Sequence, residues 1–314
     1  MNAWAGMRHR LHQIAGVLRL PDDVYRLRLT AGAGALHAAR QRYDVVTSIN
    51  DAELSVFSQW GEDGILDFLC ESLGLTRPRC LEIGVGDYRE ANTRLLVELR
   101  GSRAVVVDAY SHLRQRLLEQ EIAWRGTVVP VQALVTRDNV AELCLREELG
   151  GPPDIVSLDI DGMDYWVLEA LPLTGCSVVV AEYNGLLGHL RAVSVPYLAN
   201  FDRYVAHYSG VYYGASLGAF VHLLGQRGFT FVGATSSRVN AFFVRNEFAA
   251  RLPFSPPQTD NLHLFTERNV RDARDRRGAL TFQDLASQRR AISKLPVIDV
   301  SERVTVPVSA GFTD

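Results

Sequence analysis

Four side chains bearing carboxylate or amide oxygens fall in two pairs, Asp159 with Asp161 and Glu182 with Asn184. The pairs close two short apolar runs, DIVSLD and SVVVAEY, that read as β-strands, and residues two apart on a strand face the same way. If these strands are neighbours, three carboxylates and an amide converge. Three readings fit such a set. Unpaired carboxylates repel and are costly to desolvate, so a divalent cation with oxygen ligands (Mg²⁺, Ca²⁺ or Mn²⁺ rather than zinc) held by Asp159, Asp161, Glu182 and Asn184 would offset the repulsion. Alternatively Asp159 or Asp161 binds a substrate hydroxyl, or takes its proton, with no metal. In the plainest reading the acids cap helices and pair with arginines. Histidine bases come from the stretch 184–214, where His207, flanked by tyrosines, is a better candidate than His189. That stretch has the character of a lid, and its Tyr197, Tyr204, Tyr208, Tyr212 and Tyr213 suit stacking on a ring. His222, inside GAFVHLLG, reads as packing.

A second constellation lies upstream in CLEIGVGDYREANT, positions 80–93. A strand running into Gly84-x-Gly86 lets the backbone approach a ligand closely, because neither glycine carries a Cβ. The third glycine of a dinucleotide fingerprint would fall at position 89, which is Arg89, so a pyrophosphate is disfavoured. Glu82, two residues before the first glycine, can meet an ammonium. Asp108 ends the next apolar run, RAVVVD, where a carboxylate can accept both hydroxyls of a ribose. An ammonium, a ribose and no pyrophosphate describe S-adenosylmethionine better than a nicotinamide dinucleotide.

These residues need a scaffold that brings strand ends together. Apolar runs at 80–84, 103–108, 127–134, 154–159 and 177–183, each of the first four followed by about ten helical residues, predict a parallel sheet with helices on both faces. A helix over 215–227 then precedes strands at 229–233 and 240–245. The link between these last two is about six residues, too short for a parallel crossover, so they form an antiparallel hairpin. Five parallel strands closed by a hairpin is the pattern of class I S-adenosylmethionine methyltransferases, an α/β Rossmann-like fold with a seven-stranded sheet, and the sequence resembles that superfamily.

It resembles in particular the FkbM-like branch, through FSQWGEDGIL (57–66), LEIGVGDYREANT, VVVDA (105–109), DIVSLDIDGMDYWVLEAL (154–171), VVVAEYN (178–184) and YGASLGAFVHLLGQRGFTFVG…NAFFVR (213–245). The resemblance spans roughly 55–247. It implies S-adenosylmethionine as cofactor, with Ser58, Gln59 and Gly61 over its methionine end, Ala109 beside Asp108, and Gln132 and Ala133 near the adenine. Asp161-Gly162 stands where that family has Glu-Gly, keeping a carboxylate one methylene shorter. Some small-molecule O-methyltransferases hold a metal at these same strand ends.

Composition narrows the acceptor. The 314 residues are 47% hydrophobic and 22% charged with a net charge of −3, so no positive field recruits a polyanion and nucleic acid is not expected. Only Lys294 among the 33 basic residues is a lysine, a bias that discounts individual arginines. Cys70, Cys80, Cys144 and Cys176 share no short spacing and read as buried thiols of a reducing compartment. No run approaches eighteen apolar residues, and the first twenty residues suggest an amphipathic helix rather than a signal peptide. A cytoplasmic protein with no membrane partner is expected. The expected layout is a helical N-terminal segment (1–54), a methyltransferase domain (55–247) and a C-terminal arm (248–314), with the terminal segments available for homo-oligomer contacts. The charged run ERNVRDARDRR in that arm reads as a solvated helix face. The expected activity is O-methylation of a hydroxyl on a sugar, polyol or secondary metabolite. N-methylation of an amine, a nicotinamide oxidoreductase and a non-catalytic scaffold are the rivals.

Overall fold

The computed structural model describes residues 23–312 apart from 121 and 123–125. The helix expected in the first twenty residues lies outside them. Strands β1 (Arg79–Ile83), β2 (Arg103–Asp108), β3 (Thr127–Gln132), β4 (Ile155–Leu158) and β5 (Val178–Glu182) are parallel where they pair. After a short β6 (Val193–Ser194) come β7 (Phe229–Ala234) and β8 (Asn240–Arg245). The seven-stranded sheet has the order β3-β2-β1-β4-β5-β8-β7, with β8 antiparallel to both neighbours. Six strands running one way, with the reversed β8 inserted between β5 and β7, are the Rossmann-like class I methyltransferase fold. The hairpin and its TSSR turn lie where the sequence places them.

Period-two alternation builds the two cores. Leu81, Ile83, Val105, Val107, Val156, Leu158, Val179 and Ala181 face one side of the sheet. Cys80, Ala104, Val106, Ile155, Val178 and Val180 face the other. Four of the six side chains in β2 are fully buried, and each of its three valines is worth about 1.5–3 kcal/mol relative to exposure. Helices α2 (Glu62–Leu73) and α3 (Arg94–Arg100) cover the second face, together with the preceding segment through Tyr43, Val46, Ile49 and Ala52. A helix over 23–40, α1, precedes that segment. Its Arg40 meets Asp67 of α2, which also holds Arg100 of α3 at 2.6 Å. The four cysteines are buried and free, and burial pushes the Cys144 thiol up to about 11.

The C-terminal residues lie on the sheet domain. β9 (Pro296–Asp299) pairs with both β6 and β10 (Val304–Pro307), giving a three-stranded antiparallel sheet whose members are far apart in sequence. The Tyr183 hydroxyl donates to the Phe265 carbonyl at 2.5 Å, and that of Tyr212 to the Pro296 carbonyl. The charged run 267–277 is not a helix, contrary to the sequence expectation. Val270 and Ala273 within it are buried, so the run follows the protein surface as an irregular strap. No helix among the described residues is long and apolar enough to cross a membrane.

Candidate functional site

The carboxyl ends of β1, β2, β4 and β5 open on a cavity of about 590 Å³. At one end is the β1 turn. Gly84 has φ +90°, and a Cβ there would sit 1.5 Å from the Asp159 carbonyl oxygen. Only glycine lets β1 and β4 stay paired up to the turn. Gly86, at φ +54°, has open space around its missing Cβ and donates its N–H to Asp108 Oδ2 at 2.7 Å. Asp108 Oδ1 accepts from Tyr110 N–H, also at 2.7 Å. One donor per oxygen leaves each a lone pair for the cavity that Asp108 lines. Ala109, Ala133, Leu134 and Val135 give the apolar wall a flat heterocycle needs. Gln132 ends β3 as an exposed residue outside the lining, whereas Ala133 is part of it.

A second cavity of about 90 Å³ shares Gln59, Trp60, Gly84 and Asp159 with the first and is lined by Glu62, Glu82 and Glu90. Glu82 is buried, and its oxygens accept from Asn92 N–H, Thr93 N–H and Thr93 Oγ1 at 2.7, 2.9 and 2.5 Å. Burial pushes its carboxyl upward. Its part is thus to fix the loop after β1 while adding acid character behind the turn, a pocket suited to an ammonium. The loop 56–61 is built by Asp63 at the start of α2, whose Oδ2 accepts the N–H groups of Val56, Phe57 and Ser58 at 2.6–2.7 Å. Burial raises this carboxyl to about 6 against those bonds. Ser58 Oγ accepts from Asp63 N–H and lines neither cavity, and Gly61, at φ +105°, closes the loop against Glu53. Gln59 lines both cavities and donates to Glu90 at 2.9 Å.

At the far end stands the acidic set. Asp159 and Glu182 follow one another across the paired ends of β4 and β5, and burial followed by the surrounding carboxylates raises both, Asp159 to about 8 and Glu182 well above the usual range. Between them they hold a proton at neutral pH. Tyr213 Oη donates to Glu182 Oε1 at 3.2 Å. Asp161, at φ +56° and exposed, points its carboxylate at Arg203, with Nη1 to Oδ1 at 2.5 Å. Asp164 accepts from Ile160 and Gly162 N–H at 2.8 and 3.0 Å and so shapes the loop that presents Asp161.

The four-member metal set does not assemble. Asn184 Nδ2 donates to the carbonyls of Val211 and Tyr213 at 3.0 and 2.9 Å, and its Oδ1 accepts from Leu186 N–H at 3.0 Å. Its amide is spent on holding the lid backbone. Arg203 occupies Asp161, and among the described residues no group of three or more His, Cys, Asp or Glu could hold a metal ion. His207 is also displaced: its Nδ1 meets Ser209 Oγ at 2.7 Å, its ring lies 4.3 Å from that of Tyr208, and it is not part of the cavity wall. Burial lowers its pKa. Of the lid phenols only Tyr213 lines the cavity.

Several polar wall residues have no assigned role in the sequence analysis. Glu62 is fixed by Asn240 Nδ2 at 2.7 Å and Trp60 N–H at 2.8 Å. Arg203, reaching Asp161, Asp272 and the Gly210 carbonyl, is the hub of the acceptor side. Arg268 and Arg271 come from the strap, and Asn240 begins β8. Glu62 lies in FSQWGEDGIL beside Ser58, Gln59 and Gly61, so its signal is in the sequence. The arginines carried no signal, being hidden in a sequence where nearly every cation is arginine.

No family model matches the chain, and no curated protein matches it. Among solved structures it is similar to EvdMO1 (13% identity, 67% of this chain and 47% of that chain, TM-score 0.35). It is similar also to the N-terminal domain of EvdMO1 with SAH bound (13% identity, 68% of this chain and 94% of that one, TM-score 0.39). A third is cofactor-bound Rv0187 from MTB (22% identity, 68% and 90% covered, TM-score 0.36). The chain spans about half the length of whole EvdMO1. Its assignment to the class I methyltransferase fold rests on its own strand order and reversed β8.

Proposed function

We propose that this protein is an S-adenosylmethionine-dependent methyltransferase acting on a hydroxyl of a small molecule. The observation that carries this reading is the continuity of one cavity from the Gly84–Gly86 turn and Asp108 to the Asp159–Glu182 pair. The residues at the turn fit the donor: a carboxylate with free lone pairs for ribose hydroxyls, an apolar wall for adenine, and an acidic side cavity for the ammonium. When bound, S-adenosylmethionine supplies an electrophilic methyl group and a neutral thioether leaving group. The chain supplies alignment and a proton acceptor. Orientation of the two reactants is the larger part of such a reaction. An alcohol gains further from a base matched to neutral pH, and the ionised member of the Asp159–Glu182 pair is placed to take its proton.

The reading is metal-free, because Arg203 neutralises Asp161 and Asn184 is committed to backbone. Arg89 at the third glycine position and the reversed β8 argue against a nicotinamide dinucleotide. Calorimetric titration is the test: S-adenosylmethionine binds and NADH does not. Binding of neither ligand leaves a scaffold as the better reading, and binding of NADH alone makes the protein an oxidoreductase.

A further inference from the structure

Two cations on the wall of the cavity sit apart from its acids. Asp159 and Glu182 share a proton, and Arg203 bridges Asp161 and Asp272 at 2.5 and 3.0 Å. Asp272 also accepts from Tyr204 Oη at 2.7 Å. Two further guanidinium groups line the same cavity, Arg268 and Arg271, both from the strap. Among the described residues neither has a carboxylate partner or a hydrogen-bond acceptor. Their recorded contacts are with one indole: the Arg268 and Arg271 guanidinium carbons lie 5.9 and 5.0 Å from the Trp60 ring centroid. An arginine on an aromatic face keeps its in-plane N–H donors available, and five such donors in a fixed fork match a carboxylate or phosphate. Trp60 thus holds two cations in place while leaving their donors unused.

We propose that the acceptor carries an anionic group, a carboxylate or a phosphate, which Arg268 and Arg271 bind while the reacting hydroxyl meets the Asp159–Glu182 pair. This deepens the methyltransferase reading and rests on it. A neutral polyol would leave the donors of both guanidinium groups without an anionic acceptor in the protein or the ligand. An anion at the mouth and a hydroxyl at the floor would use both ends. Arg268 and Arg271 are then specificity residues for the acceptor.

The test uses the full chain and three matched probes: D-glucose, D-glucuronate and D-glucose 6-phosphate. Calorimetry with S-adenosylhomocysteine alone comes first and reads the donor assignment by itself. The three sugars are then titrated with S-adenosylhomocysteine at saturation, or without it should it fail to bind. The wild-type protein is expected to prefer at least one charged sugar over glucose by roughly tenfold or more, the scale of hydrogen bonds to charged groups. The larger gain identifies carboxylate or phosphate as the group read. The preference should disappear in R268Q/R271Q and persist in part in R268K/R271K, which keeps the charge and loses the fork. S-adenosylhomocysteine affinity should be unchanged in both variants. Equal binding of charged and neutral sugars by the wild type, binding of none, or a preference that survives R268Q/R271Q overturns the proposal. Should the glutamine variant fail to fold, loss of the wild-type preference on raising salt from 50 to 500 mM supports the proposal, and a salt-independent preference overturns it.

Discussion

Asp159 and Glu182 form a buried pair of like groups, and such pairs titrate together with values pushed apart. Replacing Asp159 by asparagine keeps the size and removes the base. The expected result is a fall in kcat of about 10²–10⁴-fold with little change in donor affinity, and loss of the rate increase near pH 8 that the native pair gives. A rate profile unchanged in D159N removes the pair from proton transfer. At the other end, Asp108→Ala removes the acceptor proposed for the ribose hydroxyls and the partner of Gly86 N–H. Donor affinity should weaken by about 1–3 kcal/mol, measured by calorimetry. EDTA should leave turnover intact, since the residues available at the acidic end do not form an oxygen cage. Dependence on added Mg²⁺ or Mn²⁺ contradicts this.

The same ends differ in how much the sequence discloses. Gly84, Gly86 and Asp108 are local signals, a strand running into glycines and an acid closing the next strand, so spacing alone finds them. Asn184 shows the limit. Its position two residues after Glu182 places it correctly in the chain, but its amide serves the backbone of residues 211–213, which spacing does not reveal.

Among the elements, β1 and β4 are held together by an absence. A methyl group at position 84 would strike the Asp159 carbonyl oxygen and meet a φ that favours glycine. Gly84→Ala should destabilise the protein by at least about 2 kcal/mol, read as a lowered midpoint in urea. The junction of α1, α2 and α3 turns on Asp67. Burial would raise its carboxyl, but Arg40 and Arg100 hold it below the usual carboxylate range. Both cations pair with it, Arg100 from a side chain only 8% exposed. Asp67→Ala leaves the buried Arg100 guanidinium with Glu71 as its remaining carboxylate and should cost about 1–3 kcal/mol. The strands and the hairpin were legible in the sequence because burial on both faces writes continuous apolar runs. The strap was not. Its charges suggest a solvated helix, but Val270 and Ala273 are drawn into the core and Arg268 and Arg271 line the cavity.

For the molecule as a whole, several buried carboxyls hold protons more tightly folded than unfolded: Asp63 and Asp164 at about 6, Asp159 at about 8, and Glu82 and Glu182 raised as well. Between the unfolded value near 4 and these raised values the native state binds the more protons. Stability therefore falls as pH rises across that window. The melting temperature should be higher at pH 5.5 than at pH 8, and D159N should flatten the slope above pH 6. A melting temperature that climbs steadily to pH 8 contradicts the assignment.

The pairing of β6 with β9 also fixes an order of assembly. Synthesis delivers the N-terminal residues first, and the seven strands of the main sheet are complete once β8 has emerged. β9 and the strap come later still. A chain arrested between β8 and the strap has the Gly84 turn and Asp108 but lacks Arg268, Arg271 and Asp272 on the opposite wall. Such a nascent chain could recognise a donor before it could tell one acceptor from another.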